Sequence, residues 1–210
     1  MKLYLSSIDI PTPNDLIELL GKPFDKTNVA IIPNAKDYYS QRAWHYKVEK
    51  YVYLFESLGC KAVVVDLRDY NDANELNQQL SGNDLIWVMG GNTFCLRYEM
   101  RRSGFETIIA RLLEKGTVYG GDSAGTLVAG LSIAGIESAD IPNFAEEVIN
   151  EGLSLVPYVV LPHADNPAFA DAVATVRSVS SGNGNLIELK DSQAVIFNNG
   201  SHYIVEPPQA

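Results

Sequence analysis

The stretch Thr117-Val118-Tyr119-Gly120-Gly121-Asp122-Ser123-Ala124-Gly125, followed at once by Thr126-Leu127-Val128-Ala129, decides how the rest of the chain is read. Its apolar start reads as a strand, and the small apolar run after Gly125 as the opening of a helix. Between them, Gly121-x-Ser123-x-Gly125 has the spacing of a sharp strand-to-helix turn. The reason is steric. Side chains two residues either side of the serine would collide, and glycine lets the turn close. A serine so placed is lifted above the carboxyl end of its strand. The helix that begins beside it aims free N–H groups and a positive dipole end at any oxyanion formed there. Ser123 is therefore a candidate nucleophile.

Outward from this turn, short apolar runs alternate with longer amphipathic ones. Strands are expected at Lys2–Ser6, Asn28–Pro33, Ala62–Leu67, Leu85–Met89 and Tyr158–Pro162. Helices are expected at about 14–20, 40–58, 73–80, 94–102 and 105–115. In the longest, Trp44, Val48, Tyr51, Val52 and Phe55 recur at helical spacing, and Gly59 supplies the stop. Continuous apolar strands are buried on both faces, which marks a parallel sheet covered by helices. In the last part of the chain, Asn185–Leu189, Ala194–Phe197 and His202–Val205 are separated by turn-formers and read as an antiparallel meander closing one edge. The expected fold is an open, mostly parallel, doubly wound α/β sheet, in a single domain over residues 1–210.

Composition narrows the function. Of 210 residues, 46% are hydrophobic and 20% charged, which excludes a disordered chain. The net charge of −10, from 16 basic and 26 acidic residues, argues against nucleic-acid and anionic-membrane partners. No apolar run approaches the roughly 20 residues of a bilayer span, and the start MKLYLSSIDIPTP lacks the apolar core of a signal peptide. Cys60 and Cys95 form no metal-ligand pair and are expected as reduced thiols of a cytoplasmic protein. With the three histidines also scattered, no zinc site or other cofactor is expected.

Among those histidines, His163 follows an apolar strand, so it and Ser123 both stand at strand carboxyl ends, where open α/β sheets form their active crevice. His163 is the candidate general base. His45 lies in the long helix and His202 begins a terminal strand, and both are expected to be structural. A second glycine pair, Gly90-Gly91-Asn92-Thr93, again joins an apolar strand to a helix but matches no phosphate-binding pattern. It can bring a backbone amide close to a ligand. The N–H groups of Gly91 and Ala124 are the candidate oxyanion hole.

Taken together, GGNTF (Gly90–Phe94), GxSAG (Gly121–Gly125) and Pro162-His163, in that order, resemble the dipeptidase E group of serine peptidases, with the α-aspartyl dipeptidases as members and cyanophycinase as a relative. The resemblance spans nearly the whole chain. It implies a flavodoxin-like fold similar to that of class I glutamine amidotransferases, with Ser123 as nucleophile, His163 as base, and Gly91 and Ala124 as oxyanion donors. It also implies hydrolysis of small peptides after an N-terminal aspartate, without metal or cofactor. For the third triad member it points to Asp140, between the serine and the histidine, or to a position before the meander, where Asn183 stands. Glu188 and Asp191 are carboxylates near that position, and Asp165 stands two residues after the histidine. An aspartyl substrate needs a cationic partner. Candidates are Arg97, Arg101, Arg102 and, in the segment after His163, Arg177, which is favoured. Oligomeric state stays open between monomer and homodimer. Two other readings stay open: an α/β-hydrolase-type esterase using Ser123, Asp165 or Asp171, and His202, and a non-catalytic ligand-binding protein of the same fold.

Overall fold

A computed structural model of the chain describes residues 1–181 and 184–208. In chain order the elements are β1 (Lys2–Ser6), α1 (Pro13–Leu20), β2 (Asn28–Ile32), α2 (Gln41–Ser57), β3 (Lys61–Val64), α3 (Ala73–Leu80), β4 (Leu85–Val88), α4 (Thr93–Arg102), α5 (Phe105–Glu114) and β5 (Val118–Asp122). There follow α6 (Ala124–Leu127), β6 (Val159–Leu161), α7 (Ala170–Ser180), β7 (Leu186–Glu188), β8 (Ala194–Asn198) and β9 (Ser201–Val205). The main sheet has seven strands in the order β3-β2-β4-β5-β1-β8-β9. Its first five strands run parallel, and β8 and β9 are antiparallel.

Strand alternation splits the core into two layers. Leu3, Leu5, Ala30, Ile32, Ile86 and Val88 face one side, where α3, α4, α5, α6 and α7 pack. Tyr4, Val29, Ile31, Leu85 and Trp87 face the other, under α1 and α2. Both faces of the central strands are thus buried, as their continuous apolar runs require. The chain leaves β2 toward one edge through α2 and leaves β4 toward the other through α4 and α5. The carboxyl ends of β2 and β4 therefore flank a reversal of winding, where α/β sheets open a crevice. No helix among the described residues is long and apolar enough to cross a membrane.

Two strands differ from expectation. Ala62–Leu67 reads as a fully buried strand, but β3 is the sheet edge and leaves Val63 and Val64 exposed. The segment at 185–189 does not join the terminal antiparallel pair. Its strand β7 pairs parallel with β6 in a separate two-stranded sheet, Val160 opposite Ile187. Parallel pairing needs a crossover, and α7 supplies it.

The β5–α6 turn is closed by backbone contact. A methyl group at Gly125 would lie 2.1 Å from the Val88 carbonyl oxygen, and one at Gly121 2.7 Å from the Gly125 carbonyl carbon. Gly125→Ala must push β4 and α6 apart. It is expected to lower the unfolding free energy by about 1–3 kcal/mol, the usual cost of overpacking, read as a shift of the urea midpoint at constant slope. An unchanged midpoint would show that the turn has room to spare.

Candidate active site

At the β5–α6 turn Ser123 has φ 50° and ψ −109°, a left-handed backbone that a non-glycine residue holds only under constraint. The constraint is visible. Its N–H donates to the Ser6 carbonyl at 3.1 Å, and its carbonyl accepts from Thr126 and Leu127 N–H as α6 begins. His163, just past β6, also has a positive φ, of 61°. Its N–H donates to Ser7 Oγ at 3.2 Å, the next residue's N–H donates to the Leu189 carbonyl, and the imidazole stacks on Phe169 with 4.4 Å between ring centroids.

These two strained positions meet. His163 Nε2 lies 3.0 Å from Ser123 Oγ, and His163 Nδ1 lies 2.6 Å from Asp191 Oδ1. An ionised carboxylate only accepts, so Nδ1 carries the proton and the neutral ring keeps Nε2 free to accept from the serine hydroxyl. Asp191 is held in turn. Asn166 Nδ2 donates to its Oδ2 at 2.7 Å, and its own N–H donates to Asp165 Oδ1 at 2.9 Å.

The carboxylate that meets His163 is Asp191, not the expected Asp140. Asp140 sits at the N-terminus of α4, where its Oδ2 accepts from Thr93 N–H at 2.8 Å and Thr93 Oγ1 at 2.6 Å. Burial pushes its carboxyl up, against those two Thr93 hydrogen bonds, and Asp140 makes no hydrogen bond to His163 among the described residues. Glu188 is paired with Arg177 on the surface, and Asp165 touches the backbone of Asp191 rather than the imidazole. Asn183 lies outside the described residues. The esterase arrangement is not assembled either. His202 stacks on Phe197 and lies tilted against Tyr158 at the far edge of the sheet, and Asp171 is an exposed residue of α7.

The second glycine pair builds the opposite wall. Gly91 has φ 147°, and a Cβ there would lie 2.2 Å from the Ala35 carbonyl oxygen. Asn92 caps α4 by accepting from Cys95 N–H at 3.0 Å, and its own N–H donates to Ala35 O at 2.7 Å. Gly91 N–H and Ala124 N–H make no hydrogen bond among the described residues, and both residues line a cavity of about 290 Å³ with Ser123 and His163. Lys36, after β2, is the cation among that cavity's lining residues. Burial pulls its ammonium below the usual lysine range, and Asp122 opposes that pull.

None of the expected arginines lines the cavity. Arg177 is bound to Glu188, and buried Arg97 to Glu106 and the Glu151 carbonyl. Arg101 pairs with Glu106 and Glu147, and Arg102 with Glu99. Both cysteines are buried, which pushes Cys60 up to about 11 and Cys95 up to about 12, so neither offers a thiolate. Lys36 was missed in the sequence, and Asp191 was only one of several carboxylates near the meander, because each lies in a turn-rich segment whose composition signals a change of direction.

A mostly parallel sheet with a serine turn and two free amides at its strand ends, faced by a histidine from the small β6-β7 sheet, defines a class of α/β scaffolds that carry hydrolytic sites. Comparison places the chain within it. The model of peptidase family S51 matches residues 9–205. An uncharacterised peptidase of Listeria monocytogenes is 30% identical over 143 residues, covering 68% of this chain and 69% of the relative. A second, from Listeria innocua, is 32% identical, covering 67% and 71%. A Peptidase E of Shewanella baltica is 32% identical over 51% of this chain but only 44% of its own length. A crystal structure of a candidate Peptidase E protein from Listeria monocytogenes superposes with a TM-score of 0.83 at 25% identity, covering 98% of both chains. The chain belongs to peptidase family S51, and peptides are its substrate class.

The His163–Asp191 bond is testable apart from any reaction. The Nδ1 proton is expected as a downfield imidazole resonance in proton NMR that disappears in Asp191→Ala and persists in Asp140→Ala. The opposite pattern would return the position to Asp140.

Proposed function

We propose that the chain is a serine peptidase that hydrolyses short peptides through Ser123, His163 and Asp191, with Gly91 and Ala124 as oxyanion donors. The observation that carries this reading is the continuous path Ser123 Oγ, His163 Nε2, His163 Nδ1, Asp191 Oδ1, at 3.0 Å and 2.6 Å, opening on a cavity with two unpartnered amides. As Ser123 Oγ attacks the scissile carbonyl carbon, His163 Nε2 takes the hydroxyl proton. The carbonyl oxygen becomes an oxyanion, and the Gly91 and Ala124 N–H groups receive it. Collapse breaks the C–N bond, and the proton passes from His163 to the departing amine. Water, deprotonated by the same imidazole, then releases the acyl group from Ser123. Asp191 holds the tautomer throughout and stabilises the imidazolium. Asn166 keeps Asp191 in place.

A cavity of about 290 Å³ lies just below the roughly 300–1,000 Å³ typical of ligand sites, which suits a short peptide. If the substrate carries an N-terminal aspartate, its carboxylate partner is Lys36 rather than Arg177. The reading does not invoke a metal or cofactor.

Ser123→Ala is expected to reduce peptide hydrolysis by about 10⁶-fold and Asp191→Ala by about 10⁴-fold, with the fold retained. Asp140→Ala is expected to act far more weakly. An Asp191→Ala enzyme as active as wild type would remove Asp191 from the mechanism. A charge-assisted contact is worth about 1.5–3 kcal/mol, so Lys36→Met should cut the preference for aspartyl over alanyl dipeptides, as kcat/KM, by roughly 10- to 100-fold. Arg177→Met should leave it unchanged. The reverse outcome would restore Arg177 as the substrate partner.

A further inference from the structure

Asp122, the last residue of β5, is not used by the mechanism above and yet adjoins the nucleophile. The residue is 4% exposed, and its carboxylate meets Trp87 and Tyr51 of the apolar layer under α1 and α2. Burial pushes its carboxyl up to about 6, against hydrogen bonds from Tyr51 and Trp87 and the nearby Lys36 ammonium. A carboxylate in such a layer costs stability that an apolar residue of similar size would avoid. Three donors converge on it. Trp87 Nε1 reaches Oδ1 at 3.0 Å, while the Tyr51 hydroxyl and the Gly90 N–H reach Oδ2 at 2.8 Å and 3.2 Å.

The Gly90 contact links the two halves of the site. The amide before Gly91 is bound by Asp122, and the amide after it, that of Asn92, is bound by Ala35 O. Gly91 N–H is the unbound amide between two fastened ones. A Cβ at Gly90 would lie 2.7 Å from Asp122 Oδ2 and 2.9 Å from Ser123 Cβ, so the loop and the serine turn are in direct contact. Asp122 belongs to the serine turn itself, and its carboxylate ties the Gly90 amide to that turn.

We propose that Asp122 is a positioning residue that holds the Gly90-Gly91 loop so that the Gly91 N–H meets the oxyanion formed on Ser123. The proposal rests on the serine-peptidase reading. A carboxylate is required because all three partners donate. In Asp122→Asn the amide has one accepting oxygen. Turned toward Trp87, it satisfies the indole, and the new NH₂ donates to the Tyr51 hydroxyl, which can rotate to accept. The Gly90 N–H cannot rotate and is left facing a donor. That orientation releases the loop. Removing the indole donor as well, by Trp87→Phe, lets the amide oxygen swing back to Gly90.

The test combines kinetics with amide exchange. For Asp122→Asn, kcat is expected to fall about 10- to 100-fold with KM unchanged, since the lost alignment acts only on the tetrahedral species. Affinity for a peptide aldehyde, which forms that species on Ser123, should fall in parallel with kcat. Adding Trp87→Phe should restore part of both, although Trp87→Phe alone creates a core cavity and lowers stability. A residue serving stability alone would give no such rescue. Independently of activity, NMR hydrogen exchange should find the Gly90 amide protected in wild type and unprotected in Asp122→Asn, with Val88 and Met89 protected in both. An Asp122→Asn enzyme with wild-type kcat, or with Gly90 still protected, overturns the proposal. A wild-type protein that neither cleaves peptides nor takes up the aldehyde overturns the serine-peptidase reading instead, and Gly90 exchange then reports alone whether Asp122 holds the loop.

Discussion

The structure depends on the contact between Gly125 and the Val88 carbonyl. That approach brings the start of α6 onto the end of β4, and the left-handed backbone at Ser123 is its consequence. A strained serine costs of order 1–3 kcal/mol and persists only where its surroundings impose it. Here they are the Ser6 carbonyl, the first turn of α6 and the Gly90 loop. Because β4 and β5 are neighbours at the centre of a buried sheet, the serine turn and the Gly91 loop inherit the rigidity of the core rather than the mobility of surface loops.

The histidine side is built by different means. His163 is carried by a small parallel unit, β6-α7-β7, whose strands lie outside the main sheet. It is tied to the body through Ser7, whose Oγ accepts from the His163 N–H and donates to the Leu189 carbonyl, which also receives the Ala164 N–H. Ser7 follows β1, and Asp191 follows Leu189 by two residues. His163 and Asp191 are thus anchored to the opposite flank of the sheet from the Gly91 loop, and Ser123 stands between them.

Much of this was legible in sequence because it is written locally. The serine turn, the GGNT loop and the apolar strands are each encoded within a few consecutive residues, and the structure places Ser123, His163, Gly91 and Ala124 around one cavity. Longer-range relations were not legible. Asp191 stands 28 residues beyond His163, in a Lys190-Asp191-Ser192 segment that composition marks only as a turn. Asp140 has the attraction of lying between serine and histidine in the chain, but the N-terminus of α4 takes its carboxylate. The pairing of β7 with β6 depends on where α7 delivers the chain, and three apolar residues cannot say which partner they will meet. Lys36 escaped notice because a lone lysine after a strand ordinarily faces water.

The central claim is that Ser123 is an activated nucleophile in the folded chain. Covalent labelling with a fluorophosphonate, followed by intact-mass measurement and peptide mapping, tests it most directly. The account predicts one adduct per chain, located on Ser123, lost on prior unfolding and lost in His163→Ala. A folded protein that takes no label, or that takes it on a different serine, would contradict the account.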